Sequence, residues 1–182
     1  SKSWTLNKTE QPIVYVKYKG LFGDISEVVT DNINYLELVA PAWGMLLPDY
    51  DTKVKLSDES AFVYAPAGSV NELVDFEIST SVIKTELDGY EVLDNLGFNL
   101  AGVDSKGTVK TLKNNVLLGL QYQNKLDPYI HPDSLVVKYW DNISSKWMNI
   151  PVLQVDNGYA IVSVKKPGQY ILTLDEENIK YR

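Results

Sequence analysis

The sequence predicts a mainly β fold: an antiparallel β-sandwich preceded by an N-terminal segment carrying one helix. Three observations lead there. Short runs rich in valine, isoleucine and tyrosine, residues that suit a pleated and half-buried ladder, recur along most of the chain. Between them stand pairs such as Asp88-Gly89, Lys106-Gly107 and Asn157-Gly158, whose glycines admit the backbone angles of tight hairpins. Within the runs apolar and polar residues alternate. In "VDFEISTSVI" (74–83), Val74, Phe76 and Ile78 share one face, and Asp75, Glu77 and Ser79 the other.

The first 51 residues read as strand, helix, strand. "PIVYVKY" (12–18) is a strand candidate. "DISEVVTDNINYL" (24–36) spaces Ile25, Val28, Val29, Ile33 and Leu36 along one helical face, with Asp24 as N-cap and Glu27 completing a capping box. "LELVAPAWGMLL" (36–47) is an apolar strand ended by Pro41 and Gly44.

From residue 52 to 182 short strands follow one another. "KVKLSDESAFVYAPAG" (53–68) is a hairpin running into a Pro-Ala-Gly corner, and "NVLLGLQY" (115–122) a buried strand. "SLVVKYWD" (134–141) and "KWMNIPVLQV" (146–155) face each other across residues 141–146, "YAIVSV" (159–164) leaves an Asp-Asn-Gly turn, and "GQYILTL" (168–174) closes the set. Eight or more strands at this spacing suit a sandwich. The charged tail "DEENIKYR" is expected to fray or to link onwards.

At 182 residues the chain suits one medium domain with an extra segment. A net charge of −7 argues against nucleic acid as a partner, because no basic surplus exists to displace phosphate counterions. With no cysteine there is no disulfide, thiolate metal site or cysteine nucleophile. No apolar run approaches the length of a membrane span. No signal peptide is visible, and the Ser1-Lys2-Ser3 start leaves exported and cytosolic origins both open.

The stretches "FVYAPAGSVNELVDFEIS" (62–79), "LDGYEVLDNLGFNL" (87–100) and "HPDSLVVKYWDNISSKWMNIPVLQVDNGYAIVSVKKPGQYIL" (131–172) follow one another over about two-thirds of the chain. In that order they resemble a bacterial version of the ZU-type β-sandwich, the module of zonula-occludens and netrin-receptor proteins that also occurs in large surface and S-layer-associated proteins. The resemblance implies a sandwich in an extracellular, modular setting, beside neighbouring domains of a larger protein. It implies no activity, since one such fold hosts many roles. Relatives that cleave themselves do so at a His-Phe-Ser-like step near the last strand; "SVKKPGQYIL" (163–172) has neither the histidine nor a placed nucleophile. "NYLELVAPAW" (34–43) resembles the opening of chitinase-type glycosyl hydrolases, but such a barrel needs about 250 residues and the acidic motif of its catalytic strand is missing.

Candidate chemistry is sparse. His131 is the only histidine and reads as a loop residue entering a strand, because a transition-metal site or a Ser-His-Asp arrangement needs partners that are not evident. Asp49 with Asp51, Asp75 with Glu77, and Glu86 with Asp88 are carboxylate pairs at i, i+2 spacing. They could serve glycoside hydrolysis only if held across a cleft, and read first as solvated faces. The turns Asp104–Gly107 and Asp156–Gly158 lack the acid density that calcium needs. Asn7-Lys8-Thr9 and Asn142-Ile143-Ser144 fit the glycosylation triplet, which is frequent by chance. No metal or cofactor is expected.

The aromatics carry the remaining signal, since indole and phenol rings offer apolar faces with polar edges to a sugar. Candidate ligand-binding residues are Trp140, Trp43 and Tyr139. Counting by twos from Leu135 puts Leu135, Val137 and Tyr139 on the more apolar face. Lys138 and Trp140 fall on the wetter one. Trp140 is therefore expected to be the more accessible tryptophan, with Trp147 packed inside or across the strand pair. The expected function is a non-catalytic, extracellular structural or interaction module of a bacterial surface or secreted protein, contacting polysaccharide or cell wall. The alternative is a polysaccharide-active hydrolase, or a hydrolase-associated domain, using paired carboxylates.

Overall fold

The structure, a computed structural model, describes residues 13–16, 29–32, 38–83, 87, 89–123 and 125–181. The chain divides into two units, Ser1–Glu37 and Leu38–Arg182. In the first, β1 (Ile13–Val16) and β2 (Val29–Asn32) form a two-stranded antiparallel ladder, with Ile13 opposite Asn32 and Val16 opposite Val29. The helix expected over 24–36 is thus corrected where it is described. Val29 and Thr30 are β-branched and favour the extended backbone that the ladder uses. The rest of that stretch lies outside the described residues.

The second unit is built from two antiparallel sheets, as the alternating runs predict. One follows the order β11 (Lys146–Ile150), β10 (Leu135–Asp141), β14 (Gly168–Asp175), β7 (Tyr90–Asp104), β6 (Val74–Val82) and β3 (Ala42–Leu46), with β8 (Gly107–Thr108) also paired to β7. The other runs β12 (Val152–Asp156), β13 (Tyr159–Val164), β9 (Val116–Gln121), β5 (Ala61–Ala65) and β4 (Thr52–Lys55). Alternate residues of each sheet turn inward and fill one core. Leu46, Phe76, Ile78 and Val137 come from the seven-stranded sheet, and Val63, Leu118 and Val162 from the five-stranded one. Each such side chain, wholly removed from water, contributes about 1.5–3 kcal/mol.

Strand β3, expected to belong with the N-terminal segment and to end at Gly44, runs through that glycine as an edge strand of the seven-stranded sheet, paired with β6. Gly44 is there because of a neighbour: a Cβ at this position would lie 2.5 Å from Cγ2 of Val54. The glycine lets the first strands of the two sheets approach closely, and Leu46 reaches the core.

Three local features fix the register. Asn157 and Gly158 both take positive φ, 47° and 82°, which is the two-residue turn that joins β12 to β13 without splaying them. Strand β7 carries a bulge: Ile171 of β14 pairs with Gly97, but Thr173 pairs with Val92. Asp94 and Asn95 absorb the extra length at φ 56° and 51°, and Lys125 Nζ sits 3.2 Å from the Asp94 carboxylate. Pro151 is the single residue between β11 in one sheet and β12 in the other. Lacking an N–H, it marks where one ladder stops and the next starts.

The tail does not fray within the described residues. Asp175 caps a 3-10 turn over Glu176–Asn178, Lys180 N donates to Ser134 Oγ at 2.7 Å, and Tyr181 bridges to Ile130. Charge alone predicted a solvated end; backbone pairing with the 130–134 segment overrides it.

Candidate functional site

The pairings carry one face across the whole seven-stranded sheet. On β3, Trp43 lies opposite Glu77 of β6, which lies opposite Ala101 of β7. Two residues back on β7, Asn99 pairs with Ser79 on one side and Gln169 of β14 on the other. Gln169 shares its face with Ile171, which pairs with Lys138 of β10, and Trp140 follows Lys138 on that same face. Trp140 pairs with Trp147 of β11. Trp43, Trp140 and Trp147 therefore stand on the outer face of one sheet, with Glu77, Ser79, Asn99 and Gln169 between them. Four inter-strand steps separate β3 from β10, a span of about 19 Å.

The two ends of this face differ. Trp43 is 69% exposed on an edge strand, beside the half-buried Glu77. Trp140 and Trp147 are both half-buried and meet edge to face, ring centroids 5.3 Å apart at 65°. The expected packing of Trp147 across the strand pair is what the register gives; it does not enter the core. Its strand neighbour Met148, opposite Tyr139, takes the other face.

Tyr139 does not join the other two candidates. It points to the core side, where its ring lies 5.1 Å from that of Tyr170. Burial pushes both phenols above their ordinary pKa, and the Tyr170 hydroxyl donates to the Lys166 carbonyl. The structure thus brings Trp43 and Trp140 together on one surface and commits Tyr139 to packing.

Parity counting places Lys138 on this face correctly but misses its burial. Lys138, expected on the wetter side, is only 5% exposed. Its Nζ lies 3.3 Å from the centroid of the Tyr90 ring and donates to Asn149 Oδ1 at 2.6 Å. Below it Ile171 and Thr173 are buried, so this half of the outer face is covered rather than wet. Desolvation pulls the amine below its ordinary pKa, against the opposing charge of Asp175. Nothing in the alternation reports this, because the cover comes from Tyr90 at the start of β7.

The other candidates resolve into structural roles. His131 is the loop residue expected of it: its Nδ1 accepts from Asp133 N at 3.3 Å at the start of a 3-10 turn (Pro132–Ser134). With Asp133 and Lys180 it rims an open cleft of about 940 Å³ beside Leu153 and Gln154 of β12. Asp51 accepts from Tyr64 Oη at 2.6 Å and Ala67 N at 2.9 Å, and these bonds hold its carboxyl below the usual range. Asp75 and Glu77 point to the same outer face of one strand, while Glu86 and Asp88 lie outside the described residues. Asp104 Oδ1 accepts from Lys106 N at 2.8 Å, which is turn chemistry. Among the described residues no cluster of three acidic or histidine side chains is arranged to hold a metal ion, and no helix is long and apolar enough to cross a membrane.

Comparison with protein-family models, with curated proteins and with solved structures found no match to this chain.

Proposed function

We propose that the chain is a non-catalytic, extracellular interaction module of a bacterial surface or secreted protein, and that the outer face of its seven-stranded sheet contacts the glycan of a polysaccharide or cell wall. The observation that carries this reading is Trp43, a large ring 69% exposed on the same face as Trp140 and Trp147. An indole left in water on a sheet face costs hydration free energy that a sugar ring stacked on it returns. The polar side chains between the tryptophans, Glu77, Ser79, Asn99 and Gln169, offer both donors and acceptors to hydroxyl groups. The ZU-type resemblance of residues 60–174 supports the modular, surface-protein setting. Binding to an array of neutral linear glycans and to purified peptidoglycan tests the reading. Trp43→Ala and Trp140→Ala are each expected to weaken retention at least tenfold; retention unchanged in both variants, or absent in the parent chain, overturns it.

A further inference from the structure

Among the described residues Lys138 is the only buried lysine, and no carboxylate lies within ion-pair distance of its amine. Among the described residues the groups its amine contacts are neutral: the amide oxygen of Asn149 and the face of Tyr90. Desolvation lowers the amine's pKa from its ordinary value, so its nucleophilic neutral form is reached more readily there than in water. The group it touches is acyl: Cγ of Asn149 lies one C=O bond, about 1.23 Å, behind the oxygen that Nζ contacts. Lys138 and Asn149 are also directly opposite in the β10–β11 ladder, so the backbone holds the two side chains in register.

We propose that Lys138 and Asn149 join in an intramolecular amide cross-link between β10 and β11, formed by the chain itself. The amine lone pair attacks Cγ of Asn149, a C–N bond forms, and the carbonyl electrons move onto Oδ1. The tetrahedral intermediate collapses by breaking the Cγ–Nδ2 bond, and Nδ2 departs as ammonia with the proton that Nζ gives up. One primary amine and one primary amide become one secondary amide and one ammonia, with no oxidant, reductant or co-reactant. Asn149 lies at the exposed edge of the sheet, so solvent there carries that proton from Nζ to Nδ2. The Tyr90 ring shields one side of the amine, and Asn149 on the exposed edge strand leaves ammonia a way out. This cross-link stands independently of any glycan.

Intact-mass spectrometry of the purified full chain, followed by peptide mapping, tests it. The expected result is a mass lower than that of the sequence by one ammonia. Fragmentation should give a peptide pair joined at Lys138 and Asn149, with no tryptic cleavage after Lys138. Ring closure at Asn157-Gly158 would lose the same mass, but hydroxylamine cleaves that product and leaves an amide intact. Lys138→Met and Asn149→Ala are each expected to restore the full mass. Asn149 is exposed, so its variant reads out even if Lys138→Met fails to fold. A chain at full mass, or an ammonia loss that maps to Asn157, overturns the proposal.

Discussion

On the outer face of the five-stranded sheet, Phe62 lies across Gly119, so close that a Cβ there would come 2.2 Å from the ring. Tyr159 meets the same ring edge on at 5.1 Å, Lys53 Nζ sits 4.2 Å above its centroid, and the Tyr159 hydroxyl donates to the Glu59 carbonyl. On the outer face of the seven-stranded sheet, Trp43 has an acidic neighbour, no aromatic partner among the described contacts, and most of its surface in water. Both faces carry aromatics, but on one the rings complete the protein's own packing and on the other a ring is left over. Aromatic content therefore says little about binding until the contacts of each ring are known.

The contrast can be broken most forcefully at Phe62. Replacing it with alanine uncovers Gly119 and removes the partner of Tyr159. A loss of about 2–3 kcal/mol, between that of a surface and a core phenylalanine, is expected in urea unfolding. A loss below about 0.5 kcal/mol, the scale of an ordinary surface change, would mean the Phe62 cluster is no more structural than Trp43.

A smaller, pH-dependent effect is expected at Asp51, which ties the five-stranded sheet's Tyr64 to the corner at Ala67. Its carboxyl titrates below the unfolded value, so the stability it contributes is present above about pH 4. It disappears as the pH falls through the lower folded value. Asp51→Asn should therefore flatten the acid limb of the stability–pH curve; because the same bond raises the pKa of the Tyr64 phenol, the variant should also reduce the loss of stability above about pH 10, and an unchanged acid limb refutes the linkage.

The smallest effects on stability belong to the tryptophan face. Trp140→Ala forfeits an edge-to-face contact with Trp147, about 1 kcal/mol beyond the lost area. Trp43→Ala should move the unfolding midpoint by no more than about 0.5 kcal/mol in equivalent free energy. If Trp43→Ala destabilises as much as Phe62→Ala, the ring is structural after all and the distinction between the faces collapses.

Much of the sandwich was legible because its signals are local. The alternation in 74–83 gives β6 and its inward Val74, Phe76 and Ile78, and Asn157-Gly158 gives the turn between β12 and β13. Of the helix expected over 24–36 only Val29–Asn32 is described, and there the extended preference of β-branched Val29 and Thr30 outweighs a helical spacing that takes no account of β-branching. What was not legible depends on partners distant in the chain. Trp43 and Trp140 share a face only through the order β10, β14, β7, β6, β3, and no window of sequence contains that order. Trp147 awaited the four-residue loop at 142–145, where Ser145 turns at φ 52° and sets the register. Lys138 looked wet because its own strand said so, while Tyr90, nearly fifty positions earlier, covers it.

Pro151 has a mechanical consequence. Tension applied at the tryptophan pair loads β11, the outermost strand of its sheet, and one residue later the chain is already β12, the outermost strand of the other. With no slack loop between them, tension on one ladder is delivered at once to the second. The two sheets are thus yoked at that corner, and a strand that would otherwise peel from its edge like a zip must drag its opposite number along with it.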